Sequence, residues 1–168
     1  MLSYQHGYHA GNQADVLKHA ILHAVLTSEA EADRRLLYVE THAARGFYDL
    51  GGSQSKKTGE AERGVLAMPK AKQAANALRP WLQHVQSKGP SSYPGSPALA
   101  SQLLGNKSRL VLFELHKAEH KALTLALQND KRVQIRKEDG YRGALRLQPR
   151  RGENMLLVLD PSYETDAD

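Results

Sequence analysis

The sequence predicts an α/β fold built on an open parallel sheet, and three features carry that reading. Four short apolar runs, LLYVE (36–40), RLVLFEL (109–115), RVQIRKEDG (132–140) and NMLLVLDPSYE (154–164), have the length and bulky or β-branched content of buried strands. Helix-forming stretches separate them, so the strand-to-strand connections are crossovers of the right-handed kind. Glu40, Glu114, Asp139 and Asp160 fall at or close to the C-terminal ends of the four runs. In an open α/β sheet those ends line one crevice, the usual ligand site.

Taken in order, the first fifteen residues, MLSYQHGYHAGNQAD, mix aromatics, His, Gly and Asn without apolar periodicity and read as an ordered or mobile arm. Val16, Leu17, Ala20, Ile21, Ala24 and Val25 then repeat at helical spacing, and Asn12 or Asp15 is placed to cap that helix. Lys18 sits at one edge of the stripe. His19 and His23 stand one turn apart, a zinc-type spacing that lacks a third ligand, so no metal is expected. LLYVE is the first strand and runs into the small-residue turn THAARG (41–46). From about 48 to 92 the composition is helix-forming but broken by Gly51, Gly52, Pro69 and Pro80, which predicts a small helical insertion.

In YPGSPALASQLL (93–104), Ser96 reads as an N-cap and Pro97 as the first helical residue, where its missing amide costs nothing; the helix ends near Gly105. RLVLFEL is the second strand and HKAEHKALTLALQND (116–130) the second connecting helix. The third strand ends on Asp139-Gly140 and the fourth on Asp160, with an inferred order of 3-2-1-4.

At 168 residues the chain is long enough for one domain with a real core. Its apolar runs are too short to cross a bilayer, and Met1 is followed by polar, His-rich sequence, so a cytoplasmic protein without membrane association is expected. With no cysteine, disulfides and thiolate metal sites are excluded. Twenty-three Lys and Arg against 18 Asp and Glu give a net charge of +5, which helps a polyanion approach without deciding the matter. Basic residues cluster in RKEDGYRGALRLQPRRG (136–152), where a solvated surface is the plain alternative to a nucleic-acid contact.

The acids suggest a chemistry. A carboxylate after the second strand, Glu114, is placed to accept both ribose hydroxyls of an adenosine-type cofactor. Asp139 followed by Gly140 can take an adenine amino hydrogen while the glycine lets the backbone approach the ring edge. THAARG holds one glycine and matches neither a dinucleotide nor a phosphate-binding fingerprint, which speaks against NAD and ATP. S-adenosyl-L-methionine, an adenosine cofactor without phosphates, remains.

DPSYE (160–164) resembles the (Asp/Asn)-Pro-Pro-(Tyr/Phe) motif of methyltransferases acting on the exocyclic nitrogen of adenine. In that motif the acid and the proline carbonyl accept from the target amine while the aromatic stacks on a flipped base. MLSY, HAGN, ADVLKH, ETHAARG, YPGSP, FELH, DG and LDPSYE, in this order from Met1 to Glu164, resemble the bacterial 23S rRNA adenine-N6 methyltransferase family of the J type, which an older label ties to use of external DNA. The resemblance implies a class I, Rossmann-like methyltransferase fold that is monomeric when full length and acts on 23S rRNA with S-adenosyl-L-methionine. It implies cofactor contacts from Lys18, His19, His42, Ser96, Glu114, Asp139, Gly140 and Asp160, with Asp160 also the catalytic group. Tyr4, Pro161 and Tyr163 would meet the RNA.

Three departures from the family pattern stand out. Ala44-Arg45 makes the first-strand turn bulkier, with Glu40 before it. Ser162 replaces a second proline and relaxes the turn presenting Asp160 and Tyr163. The chain stops at Asp168, where this class of sheet continues with further strands, so the sequence reads as the N-terminal part of one methyltransferase domain, its fourth strand an apolar edge. Two other readings stay open: a nucleic-acid-binding or external-DNA-utilisation protein that keeps the fold without turnover, and a DNA adenine-N6 methyltransferase, since no residue here reads a 2′-hydroxyl.

Overall fold

The computed structural model describes residues 5–70 and 76–162. In chain order the elements are α1 (Gln13–Glu31), β1 (Arg35–Glu40), β2 (Phe47–Asp49), α2 (Ser53–Thr58), α3 (Glu60–Arg63), α4 (Arg79–Gln86), β3 (Ser92–Pro94), α5 (Ser96–Leu103), β4 (Arg109–Phe113), α6 (Lys117–Leu127), β5 (Val133–Arg136), α7 (Gly140–Leu145) and β6 (Glu153–Val158). Among the described residues one sheet is parallel throughout and ordered β5-β4-β1-β6, the expected 3-2-1-4 arrangement. The register sets Glu40, the last residue of β1, beside Leu112 on one side and Val158 on the other. All the strand ends that carry acids therefore meet at one rim.

β1 is buried on both faces because side chains alternate across a strand. Leu36 and Tyr38 join the larger core with Ala20 and Leu26 of α1, Leu99 of α5 and Leu123 of α6. Leu37 and Val39 join Val111, Phe113 and Ala144 on the opposite face, beneath α7. That helix lies very close to the sheet: a Cβ on Gly143 would stand 2.1 Å from the Phe113 ring.

The structure decides two open readings and corrects others. The described part of the N-terminal arm is packed, with a 3-10 turn at His6–Tyr8, a buried Gly7 and Ala10 only 1% exposed. Asn12, and not Asp15, caps α1, its side chain accepting from the Asp15 amide at 2.9 Å. The apolar stripe read on α1 is divided: Val16 and Ala20 are buried, whereas Leu17 is 61% and Ile21 58% exposed, and Val25 faces outward too. Asp15, His19 and His23 are buried instead, each against a polar partner: His6 and the Gly11 amide for Asp15, the Tyr93 hydroxyl of β3 for His19, and the His84 ring of α4 for His23.

The segment read as a helical insertion does hold α2, α3 and α4, but β2 and β3 close it as an antiparallel pair, Phe47 opposite Pro94 and Asp49 opposite Ser92. β5 ends at Arg136, so Asp139 stands beyond the strand and caps α7 through a 2.8 Å bond from the Arg142 amide. Gly95, and not Ser96, is the N-cap of α5. β6 forms one edge of the sheet among the described residues, and Leu157 and Leu159 are 42% and 54% exposed. No described helix is long and apolar enough to cross a membrane.

Candidate active site

A cavity of about 280 Å3 opens at the C-terminal rim of the sheet. Every expected site residue within the described part of the chain lines it: Lys18 and His19 from α1, His42 after β1, Ser96 at the start of α5, Glu114 after β4, Asp139 and Gly140 before and at the start of α7, and Asp160 and Pro161 after β6. Tyr4 and Tyr163 lie outside the described residues.

Parallel pairing delivers the acids, and local bonds aim them. Glu114 Oε2 accepts from the Ala44 amide at 2.8 Å and Oε1 from the His116 amide at 2.7 Å, so both oxygens are oriented by backbone. Burial raises its pKa, an effect those two amides oppose. To reach Glu114, Ala44 adopts a φ of 49°, a left-handed conformation that a residue with a Cβ takes up at some cost. Arg45 does not fill the cavity, contrary to the bulkier turn expected. Its guanidinium leaves the turn to pair with Glu119 of α6 through both ends, the Nε–Oε2 contact at 2.7 Å, and with Gln54 of α2 at 2.7 Å.

Ser96 serves the site differently from a cap. Its hydroxyl donates to Glu40 Oε1, while Tyr38 donates to Oε2 at 3.0 Å. Glu40 is fully buried, and its pKa is pushed up to about 8, first by burial and then by the charges of Asp160 and Glu114, against the two hydroxyl bonds. His19 is also buried and bonded through Nδ1 to the Tyr93 hydroxyl at 2.6 Å; burial lowers its pKa to about 4, so the ring is neutral near pH 7. His42 Nδ1 meets Thr41 Oγ1 at 2.8 Å, and its ring stands edge-on to Tyr141. Gly140 has a reason within the chain: a Cβ there would lie 2.0 Å from the Thr41 carbonyl oxygen, so only a glycine lets α7 begin against the loop after β1.

Asp160 is held by Lys18, Nζ to Oδ2 at 2.5 Å. Burial works against the ammonium, but Asp160 and Asp15 outweigh it and raise the Lys18 pKa, so this residue is charged near neutral pH. Sequence reasoning missed Tyr38, Glu40's two hydroxyl partners, Arg45–Glu119 and the cavity positions of His6, Thr41, His116 and Tyr141. ETHAARG held Thr41 and Arg45 in the turn and FELH held His116 after the second strand, but neither segment signals a partner.

The basic run 136–152 does not converge on this cavity. Arg146 pairs with Glu138, and Arg109, at the opposite end of β4, bonds the Gln148 carbonyl, so the run descends along the height of the sheet.

The cavity's donor set suits a cationic adenosine cofactor better than a phosphate-bearing one. Four carboxylates, Glu114, Glu119, Asp139 and Asp160, line it among the described residues, against one lysine. A phosphate would need the reverse balance or a glycine-rich amide cradle.

Residues 33–168 match the family model described as ribosomal RNA large subunit methyltransferase D, RlmJ. The chain is 36% identical to Ribosomal RNA large subunit methyltransferase J of Escherichia coli over 172 residues, covering all of this chain and 61% of the relative. It is 31% identical to the protein of the same name from Haemophilus influenzae, covering 62% of it. The chain thus spans about three fifths of the length of the curated relatives it matches. A crystal structure of protein LPL1258 from Legionella pneumophila superposes with a TM-score of 0.78 at 32% identity, over 94% of this chain and 59% of that one.

Proposed function

Since the chain belongs to the ribosomal RNA large subunit methyltransferase D/RlmJ family, we propose that its cavity serves methyl transfer from S-adenosyl-L-methionine to the N6 amine of an adenine in 23S rRNA. The observation that supports this most is the convergence of Glu114, Asp139 and a lysine-held Asp160 on one cavity at the sheet rim.

Glu114 holds the ribose hydroxyls of the cofactor, and Asp139 with the start of α7 receives its adenine. His19, His42, Ser96 and Lys18 complete the wall. When bound, S-adenosyl-L-methionine supplies a methyl group activated by its sulfonium charge.

The protein's own work is positioning. An adenine amine is a poor nucleophile because its lone pair is delocalised into the ring, so holding it pyramidal and in line is most of what catalysis requires. Asp160 accepts a hydrogen from that amine through the oxygen not occupied by Lys18, and the Pro161 carbonyl accepts the second. Tyr163 stacks on the base, which leaves its helix or loop to enter the site, and Tyr4 contacts the RNA from the arm. The proton that the amine loses on methylation would leave by way of Asp160 and solvent.

The test is methyl incorporation from tritiated S-adenosyl-L-methionine into unmodified 23S rRNA, with adenine-containing DNA as competitor. Label in RNA adenine at N6 is the expected result. Label in DNA alone would replace the RNA reading with the DNA one, and no label in either would leave the binding-only reading.

A further inference from the structure

Behind the Lys18–Asp160 pair lies a third charge that the methyl-transfer reading does not use. Asp15 sits in the first turn of α1 with no exposure to solvent. Its Oδ2 accepts from the Gly11 amide at 2.8 Å and bonds His6 Nε2 at 2.9 Å, which fixes the carboxylate plane. Its Oδ1 is buried, makes no hydrogen bond, and has the Lys18 ammonium 3.6 Å away, one turn along the same helix. A buried carboxylate oxygen left in this state is costly unless a cation faces it. Lys18 is that cation, and its reach toward Asp160 crosses 142 positions of sequence.

We infer that Asp15 is a positioning residue for the proposed methyl transfer: it holds the Lys18 ammonium from behind so that Lys18 presents the Asp160 carboxylate at the cavity. The burial of Asp15 works against its charge, but His6 and the Gly11 amide outweigh this and hold its carboxyl well below the usual range. The negative charge behind Lys18 is therefore permanent at physiological pH. Without it the flexible lysine stem has several rotamers open to it, and the ammonium spends less time on Asp160.

The inference rests on the methyl-transfer reading for its consequence and on geometry for its substance, so the test has two readouts. The first is competitive acylation of lysines by a small reagent, followed by mass spectrometry, on the full chain. Relative to exposed Lys56 and Lys117, Lys18 of Asp15→Asn should react at least about threefold faster than in the unsubstituted chain, because an ammonium relieved of a nearby charge deprotonates more readily. An unchanged ratio overturns the inference, whether or not methyl transfer is detected. The second is a kinetic cycle with Lys18→Met. Asp15→Asn alone should lower kcat by about tenfold with little change in KM for RNA, but by less than about threefold when Lys18 is already Met, because coupled residues are not additive. Equal losses in both backgrounds overturn it. Should Asp15→Asn fail to fold, the unsubstituted chain decides: Lys18 must acylate several-fold more slowly than Lys56 and Lys117, and an equal rate overturns the inference.

Discussion

Lys18 Nζ and Asp160 Oδ2 lie 2.5 Å apart, joining the first long helix to the loop after the last described strand. The contact ties the acid of the DPSY segment to an element at the opposite end of the sequence, and both residues are only about one-third exposed. Asp160→Ala is expected to reduce methyl transfer by about 100-fold or more, the size of loss seen when a group serving the transition state is removed. Affinity for the cofactor product should change by no more than about threefold. A parallel loss of binding and turnover would mean that Asp160 holds the cofactor and not the amine.

Glu40 makes stability depend on pH with a definite sign. Its pKa in the folded chain, about 8, lies above the ordinary value of 4.5. The folded state therefore binds that proton more tightly than the unfolded one, and the stabilisation, full below the ordinary value, is lost as pH rises through about 8. Urea unfolding at pH 5 and pH 9 should show a larger fall for the unsubstituted chain than for Glu40→Gln. Parallel profiles would show that Glu40 does not carry the slope.

Arg45 and Glu119 tie the turn after β1 to α6, and Glu119 is almost completely buried. Arg45→Met should cost about 3–5 kcal/mol in urea unfolding, since it leaves an unpaired buried carboxylate. Combining it with Glu119→Leu should recover most of that loss. A double variant as unstable as the sum of its parts would contradict the assignment.

Gly140→Ala sets a Cβ against the Thr41 carbonyl, a backbone atom that cannot swing aside. Overpacking of this kind costs about 1–3 kcal/mol. Gly105, where a Cβ would meet nothing within 4 Å, is the matched control. Its change to Ala should fall within about 0.5 kcal/mol of zero. Similar melting curves for the two would show that α7 can back away from the loop.

The four strands and the meeting of Glu114, Asp139 and Asp160 at one rim were legible because both follow from short-range pattern, apolar runs of strand length with carboxylates at or near their ends, whereas the strand order follows from the fold class those runs imply. The buried side of α1 was not legible. Helical spacing marks faces on a helix but does not say which one meets the core, and His19 is buried by virtue of Tyr93, 74 positions away. The same limit hides Ser96, whose N-cap signature is sound by composition although its hydroxyl goes to Glu40, 56 positions distant. β2 and β3 are three residues each, and one ends on a proline, too short for any periodicity to register. Asp15 looked like a second capping residue, and only the fold shows His6 and Lys18 on either side of it.

The central claim is that the cavity holds an adenosine-type methyl donor between Glu114 and Asp160, and calorimetric titration with S-adenosylhomocysteine tests it most directly. The unsubstituted chain should bind with one site, Glu114→Ala should weaken binding by about tenfold or more through loss of charge-assisted hydrogen bonds, and Asp160→Ala should bind nearly as well as the parent. No heat from the unsubstituted chain, or equal affinity in Glu114→Ala, would contradict it.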